Sequence, residues 1–130
     1  MRRFALLLLL VLSASLMRVS ANNRYTVQMD IRKAYISGVC IMHEEEEIIT
    51  ASIMNEFGVS ALTYSYNKKT EKVKILNIFK KMDKWYIKRV LKKDLKVIMR
   101  EMPLLEPLTY ENHRYNIIYQ FTPLNDEAAE

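Results

Sequence analysis

The sequence predicts an α+β domain in which a curved antiparallel sheet, an incomplete barrel of about six strands, carries one or two covering helices. Three observations lead there. Between Tyr25 and Phe79, β-branched and aromatic residues alternate with polar ones in short runs joined by polar turns. At Met82-Asp83-Lys84 the period of two gives way to helical spacing. Several strands also carry apolar residues on both faces, which a sheet with one face in water should not do.

The chain opens with the three parts of a Sec leader: Arg2 and Arg3, an apolar run from Phe4 to Leu12, and a smaller, more polar stretch ending Val19-Ser20-Ala21. Residues 1–21 are therefore expected to be a signal peptide cleaved near Ala21. A single domain is expected over 22–124 and a polar, flexible tail over 125–130. The leader's apolar run is far shorter than the ~20 residues that cross a bilayer, and no later segment comes close. The expected destination is export, to the periplasm or cell envelope.

Cleavage would alter the charge argument. The whole chain carries a formal +5 at pH 7, but Arg2, Arg3 and Arg18 leave with the leader and no acidic residue does. The remaining excess of +2 is weak ground for a nucleic-acid partner, and none is expected. The charge is unevenly placed. From Lys68 to Arg100 there are 13 Lys and Arg against the three acids Glu71, Asp83 and Asp94. Cys40 is the one cysteine, so no internal disulfide can form and the fold must stand on its apolar core. Among Val39, Ile41 and Met42 it reads as a buried, inert thiol.

In chain order, Tyr25, Val27, Met29 and Ile31 share one face of a first strand. A second runs from Ala34 to His43, with Gly38 marking a bulge or a close backbone approach. Glu44 to Glu47 reads as a solvated hairpin tip, since four adjacent carboxylates repel one another, and without spaced ligands or a glycine it is no calcium loop. Ile48 to Met54 is a third strand, after which Gly58 can supply the positive φ of a corner. Val59 to Tyr66 and Glu71 to Phe79 follow, joined by the turn Asn67-Lys68-Lys69-Thr70. The short connections imply an antiparallel meander.

Asp83 then stands as a candidate N-cap. Ile87, Val90, Leu91, Leu95 and Ile98 form a helical apolar stripe, opposite Lys88, Arg89, Lys92, Lys93 and Lys96. Asp94 falls in the apolar stripe. Either a continuous helix buries it against a cation or hydroxyl, or, more simply, it N-caps a second short helix from Leu95 to Met102. Pro103 and Pro107 bracket a linker, and Tyr115 to Phe121 reads as a last strand closing the sheet.

Catalytic chemistry finds little material. His43 and His113 have no motif beside them, no serine sits in a nucleophile elbow, and no glycine-rich loop could cradle a phosphate. Two distant histidines and one cysteine do not make a recognisable metal site. No catalytic residue, metal or cofactor is expected, and the protein is expected not to be an enzyme.

The stretch from Tyr35-Ile36-Ser37-Gly38-Val39 through Asn55-Glu56-Phe57-Gly58-Val59-Ser60-Ala61-Leu62 to Asp83-Lys84-Trp85 resembles the LolA/LolB-like superfamily of lipoprotein-localisation factors, in particular its small Bacteroidetes-type exported proteins. The likeness covers roughly Ala34 to Leu95. It implies an open half-barrel capped by helices whose concave apolar side takes acyl chains. The chain is shorter than the well-known carriers, and none of its residues matches their cavity-mouth arginine or a lipobox.

From the excess of apolar β-surface together with this resemblance, the expected function is binding of a lipid acyl chain or a lipidated protein. Strand phase nominates Val39, Ile41, Ile53, Leu62, Tyr64, Val73 and Ile75 as the lining. Lys84, Lys88, Arg89, Lys92 and Lys96 are the candidate contacts to the head groups of an anionic membrane surface, unless they form an ordinary solvated helix face. The alternative function is a structural or protein-interaction module whose apolar sheet face pairs with a partner or a second copy.

Overall fold

The computed structural model describes residues 24–31 and 34–124, so the expected leader and tail lie outside the described residues. Seven antiparallel strands form one sheet curled into a half-barrel. They are β1 (Arg24–Ile31), β2 (Ala34–Glu45), β3 (Ile48–Met54), β4 (Ser60–Asn67), β5 (Lys72–Ile78), β6 (Leu108–Asn112) and β7 (Ile117–Pro123). A 3-10 turn at Lys80–Met82 leads into α1 (Trp85–Met99), which lies on the inner face. The order β5-β4-β3-β2-β1-β7-β6 puts the first strand near the middle, because the chain's last strand returns to pair with it.

The alternation of β1 becomes strict burial of Tyr25, Val27, Met29 and Ile31. Ile49, Ala51 and Ile53 of β3, Leu62, Tyr64 and Tyr66 of β4, and Ile117, Tyr119 and Phe121 of β7 face the same side. Leu91, Leu95, Ile98 and Met99 of the helix close over them. Each of the large aliphatic side chains among them contributes on the order of 1.5–3 kcal/mol by leaving water.

The connections are set by local chemistry. Glu46 (φ 50) and Glu47 (φ 74) form the β2–β3 turn with both residues left-handed, the geometry that matches strand twist in a two-residue hairpin. Glu44 extends the strand and pairs with Lys68, tying this tip to the β4–β5 turn. At the β3–β4 corner Asn55 Oδ1 accepts from the amides of Phe57 (2.9 Å) and Val59 (3.0 Å), and Gly58 takes φ 76 as expected. Gly38 is the site of a close approach: a Cβ there would overlap the carbonyl oxygen of Met54 and lie 2.7 Å from its carbon.

Three expectations are corrected. The sheet has seven strands rather than about six, because 108–112, given no element between the Pro103–Pro107 linker and the last strand, forms β6 against β7. The helix runs unbroken through Asp94, so no second helix begins at Leu95. Asp83 does not cap it. The N-cap is Lys84, without a side-chain bond, while the Asp83 carboxylate pairs with Lys88 Nζ at 2.9 Å. The outer sheet face is mixed, with Tyr35, Val39, Ile41, Ile48 and Ile118 exposed among polar residues. It carries Thr26, Gln28, Ser52, Thr63, Gln120 and Thr122, with Ser52 and Ser60 both hydrogen-bonded to Thr63 (3.2 and 3.0 Å). The hydroxyl-bearing part of this face can stand in water without a cover.

Three outcomes follow from these contacts. Gly38→Ala should cost about 2 kcal/mol or more, because backbone rather than a flexible side chain blocks the added methyl; denaturant melts check it. Burial pushes the Cys40 thiol up to about 12 from 9.0, and raises the hydroxyls of Tyr25, Tyr64 and Tyr119 above their usual value. The folded state therefore keeps protons that the unfolded chain releases. The stability this represents is whole below pH about 9 and is lost as pH climbs toward 12. Denaturation midpoints should fall over that window, and Cys40 should resist a thiol reagent at pH about 8 until the protein is unfolded.

Candidate functional site

The helix is placed off-centre on the sheet, and the site exists because of that. Its closest approach is to β5. Its C-terminal end is held there by Arg100, whose Nε and Nη2 donate to the two Glu71 oxygens at 2.9 and 3.3 Å. That paired contact draws Glu71 below the usual carboxylate range. On the other side, between the helix and the ends of β1, β6 and β7, a cleft of about 1010 Å³ opens. Its size is at the upper end of the ~300–1,000 Å³ range of small-ligand sites.

The cleft is built from residues of six elements and the β6–β7 turn, brought to one end of the half-barrel. Ile31, Ala34 and Ile117 come from strand ends, and Met82 from the 3-10 turn. Trp85, Tyr86, Ile87 and Val90 come from the first two turns of α1, and Tyr115 from the β6–β7 turn. Trp85 and Tyr86 stand edge to face, ring centres 5.8 Å apart, and both are more than half exposed. Lys81, Arg89, Lys93 and Arg114 supply positive charge to the same walls. Helical spacing explains why Arg89 and Lys93 act together: four residues apart, they project along one side of α1.

Asp94 is the acidic group on these walls, 3% exposed and part of the packed face of the helix. Its carboxylate is satisfied without a cation. Asn112 Nδ2 donates to both oxygens (3.1 and 3.0 Å), and the Tyr119 hydroxyl donates to Oδ2 at 2.6 Å. Burial and then the adjacent carboxylate hold the Tyr119 hydroxyl protonated far above its usual range. This network spans from the helix to β6 and β7, so it sets the distance across the inner end of the cleft.

The residues nominated from strand phase fall elsewhere. Ile53, Leu62, Tyr64 and Val73 are packed beneath the helix, with the Tyr64 hydroxyl 3.5 Å from Met99 Sδ. Ile75 is half-buried at the edge of that core and borders a separate recess of about 200 Å³. Val39 and Ile41 point to the outer face, 38% and 39% exposed, because the neighbouring Cys40 is the residue that pairs inward against Tyr25 and Ile53. The seven are therefore split between two sides of the sheet and none lines the cleft.

Of the five basic residues nominated for head groups, Arg89 reaches the cleft. Lys88 is paired with Asp83; Lys84 and Lys92 are exposed, and Lys96 is half-buried. Sequence reasoning missed Lys81, Lys93 and Arg114 as a group, since they converge only through the fold. His43 and His113 are both exposed and neither lines the cleft; His113 lies 3.7 Å from Glu111. Among the described residues no group of three or more His, Cys, Asp and Glu side chains is arranged to hold a metal ion, and no helix is long and apolar enough to cross a membrane.

Compared with protein-family models, curated proteins and solved structures, the chain finds no match in any of the three.

Replacing Tyr119 with Phe keeps the ring in the core but removes the shortest bond to the buried carboxylate. The expected cost is about 1.5–3 kcal/mol, the range for a hydrogen bond to a charged group, with the far-ultraviolet spectrum of the sheet retained. Urea titration of Tyr119→Phe against the parent measures it.

Proposed function

We propose that the protein is an exported, non-enzymatic binding protein of the cell envelope that holds an acyl chain, of a lipid or of a lipidated protein, in the cleft beside α1. The observation that carries this reading is the composition of one concave space: an apolar wall of Ile31, Met82, Ile87, Val90 and Ile117, large enough for a lipid tail, bordered by Lys81, Arg89, Lys93 and Arg114. Sites for apolar ligands have this make-up, mostly apolar with a few polar groups that fix orientation. The resemblance to LolA/LolB-like factors supports the same class of ligand. The leader expected over residues 1–21 supports the location.

Exposed Trp85 and Tyr86 beside Lys84 and Arg89 also suit the boundary of an anionic membrane, where aromatic rings and basic side chains are stabilised together. Acyl chains would enter and leave there.

Val39, Ile41 and Met54 sit side by side on the outer face and favour a second reading, an interaction module that pairs this patch with a partner or a second copy. The two readings separate by mutation. Trp85 is the chain's one tryptophan and lies in the cleft, so its emission reports occupancy. A fluorescent fatty acid should bind saturably and shift that emission to the blue. Val90→Glu should weaken binding about tenfold or more, since it puts a charge into the apolar wall, whereas Val39→Glu should leave it unchanged. Absence of saturable binding, together with a lipid-free dimer that Val39→Glu dissociates, would transfer the assignment to the interaction module.

A further inference from the structure

The walls of the cleft are electrically lopsided in a way that acyl binding alone does not use. Lys81, Arg89, Lys93 and Arg114 are all exposed at its mouth, and among the described residues none of them has a carboxylate partner. Arg114 lies over the Tyr115 ring, 5.5 Å from its centre, which leaves its donors free to turn to a ligand. Asp94, the one acid among the described residues of the walls, is at the other extreme of burial, with its oxygens already occupied by Asn112 and Tyr119.

A second anion driven down beside Asp94 would meet like charge in a poorly solvated space; the same anion at the mouth meets basic side chains. A cationic head meets the reverse at the mouth. A neutral head gains from neither.

Resting on the acyl-binding reading, we propose that the cleft selects its ligand by head-group charge, taking an amphiphile with a carboxylate or phosphate head that stays at the mouth against Arg89, Lys93 and Arg114 while the tail lies inward. Guanidinium groups suit such heads because their paired N–H donors match two oxygens of one anion. The ligand class is thereby narrowed to acidic amphiphiles, such as a fatty acid or an acidic phospholipid. An acyl chain whose carbonyl is tied up in a neutral amide presents no such head.

A dodecyl series tests this on the mature protein, read by Trp85 emission and calorimetry below the micelle threshold. Dodecanoate and dodecyl phosphate should bind about tenfold or more tightly than dodecyl maltoside, and dodecyltrimethylammonium most weakly. Added salt should erode the advantage of the acidic probes and leave the maltoside unaffected. Replacing both Arg89 and Arg114 with Gln should bring the acidic probes down to the level of the maltoside without changing the maltoside itself. Lys92→Gln, on the same helix but outside the cleft, should alter neither.

Equal binding of acidic and neutral probes overturns the charge selection and leaves the acyl cleft standing. Saturation by none of the dodecyl probes overturns both. Inorganic phosphate binding as tightly as dodecyl phosphate would make the cations a simple anion site and overturn the amphiphile. Equal losses from Lys92→Gln and the double arginine variant would reduce the effect to general surface charge.

Discussion

Among the described residues one helix has to cover the inner face of seven strands, and it is too small to do so. A helix of 15 residues is about 22 Å long, whereas seven strands laid flat would span roughly 29 Å between the outermost two. Curling the sheet reduces the mismatch but does not remove it. The helix leans toward β5, where Arg100 and Glu71 hold its C-terminal end. The shortfall then appears on the opposite side, along the ends of β1, β6 and β7, and that uncovered strip of apolar wall is the cleft. Core and cavity are thus two consequences of one shortage of cover.

Asp94 shows how the arrangement is held. A carboxylate in the packed face of a helix is costly unless its oxygens are met, and Asn112 and Tyr119 meet them with neutral donors. The two partners come from neighbouring strands, so the network joins the helix to the far edge of the sheet. It also leaves a negative charge at the inner end of a space whose outer end is positive. The proposed head-group selection rests on that polarity, since an apolar cavity alone gives a tail no preferred direction.

The strand pattern was legible because alternation is a local signal. Tyr25, Val27, Met29 and Ile31 alternate without exception, and all four are buried. Gly38 and Gly58 could be read for the same reason, each lacking the Cβ that its backbone position excludes or disfavours. β6 was missed because five residues directly after Pro107 offer too short an alternation to distinguish from a linker. In β2 the alternation was present but ambiguous. Val39 and Ile41 are more apolar than Gly38 and Cys40, so composition favours the wrong side. Only pairing with Tyr25 and Ile53 turns Cys40 inward.

Taken by itself, the amino-acid order determined the antiparallel meander and the amphipathic helix after Met82, because these depend on spacing within one segment. The tertiary structure decided which parity of β2 faces the core, that the helix continues through Asp94, and that Lys81, Arg89, Lys93 and Arg114 converge on one opening. Each of those depends on groups far apart in the chain: the partners of Asp94 lie 18 and 25 positions later. Local periodicity contains no information about which distant side chain will meet a given one. That is settled when the sheet curls and the helix comes to rest on β5.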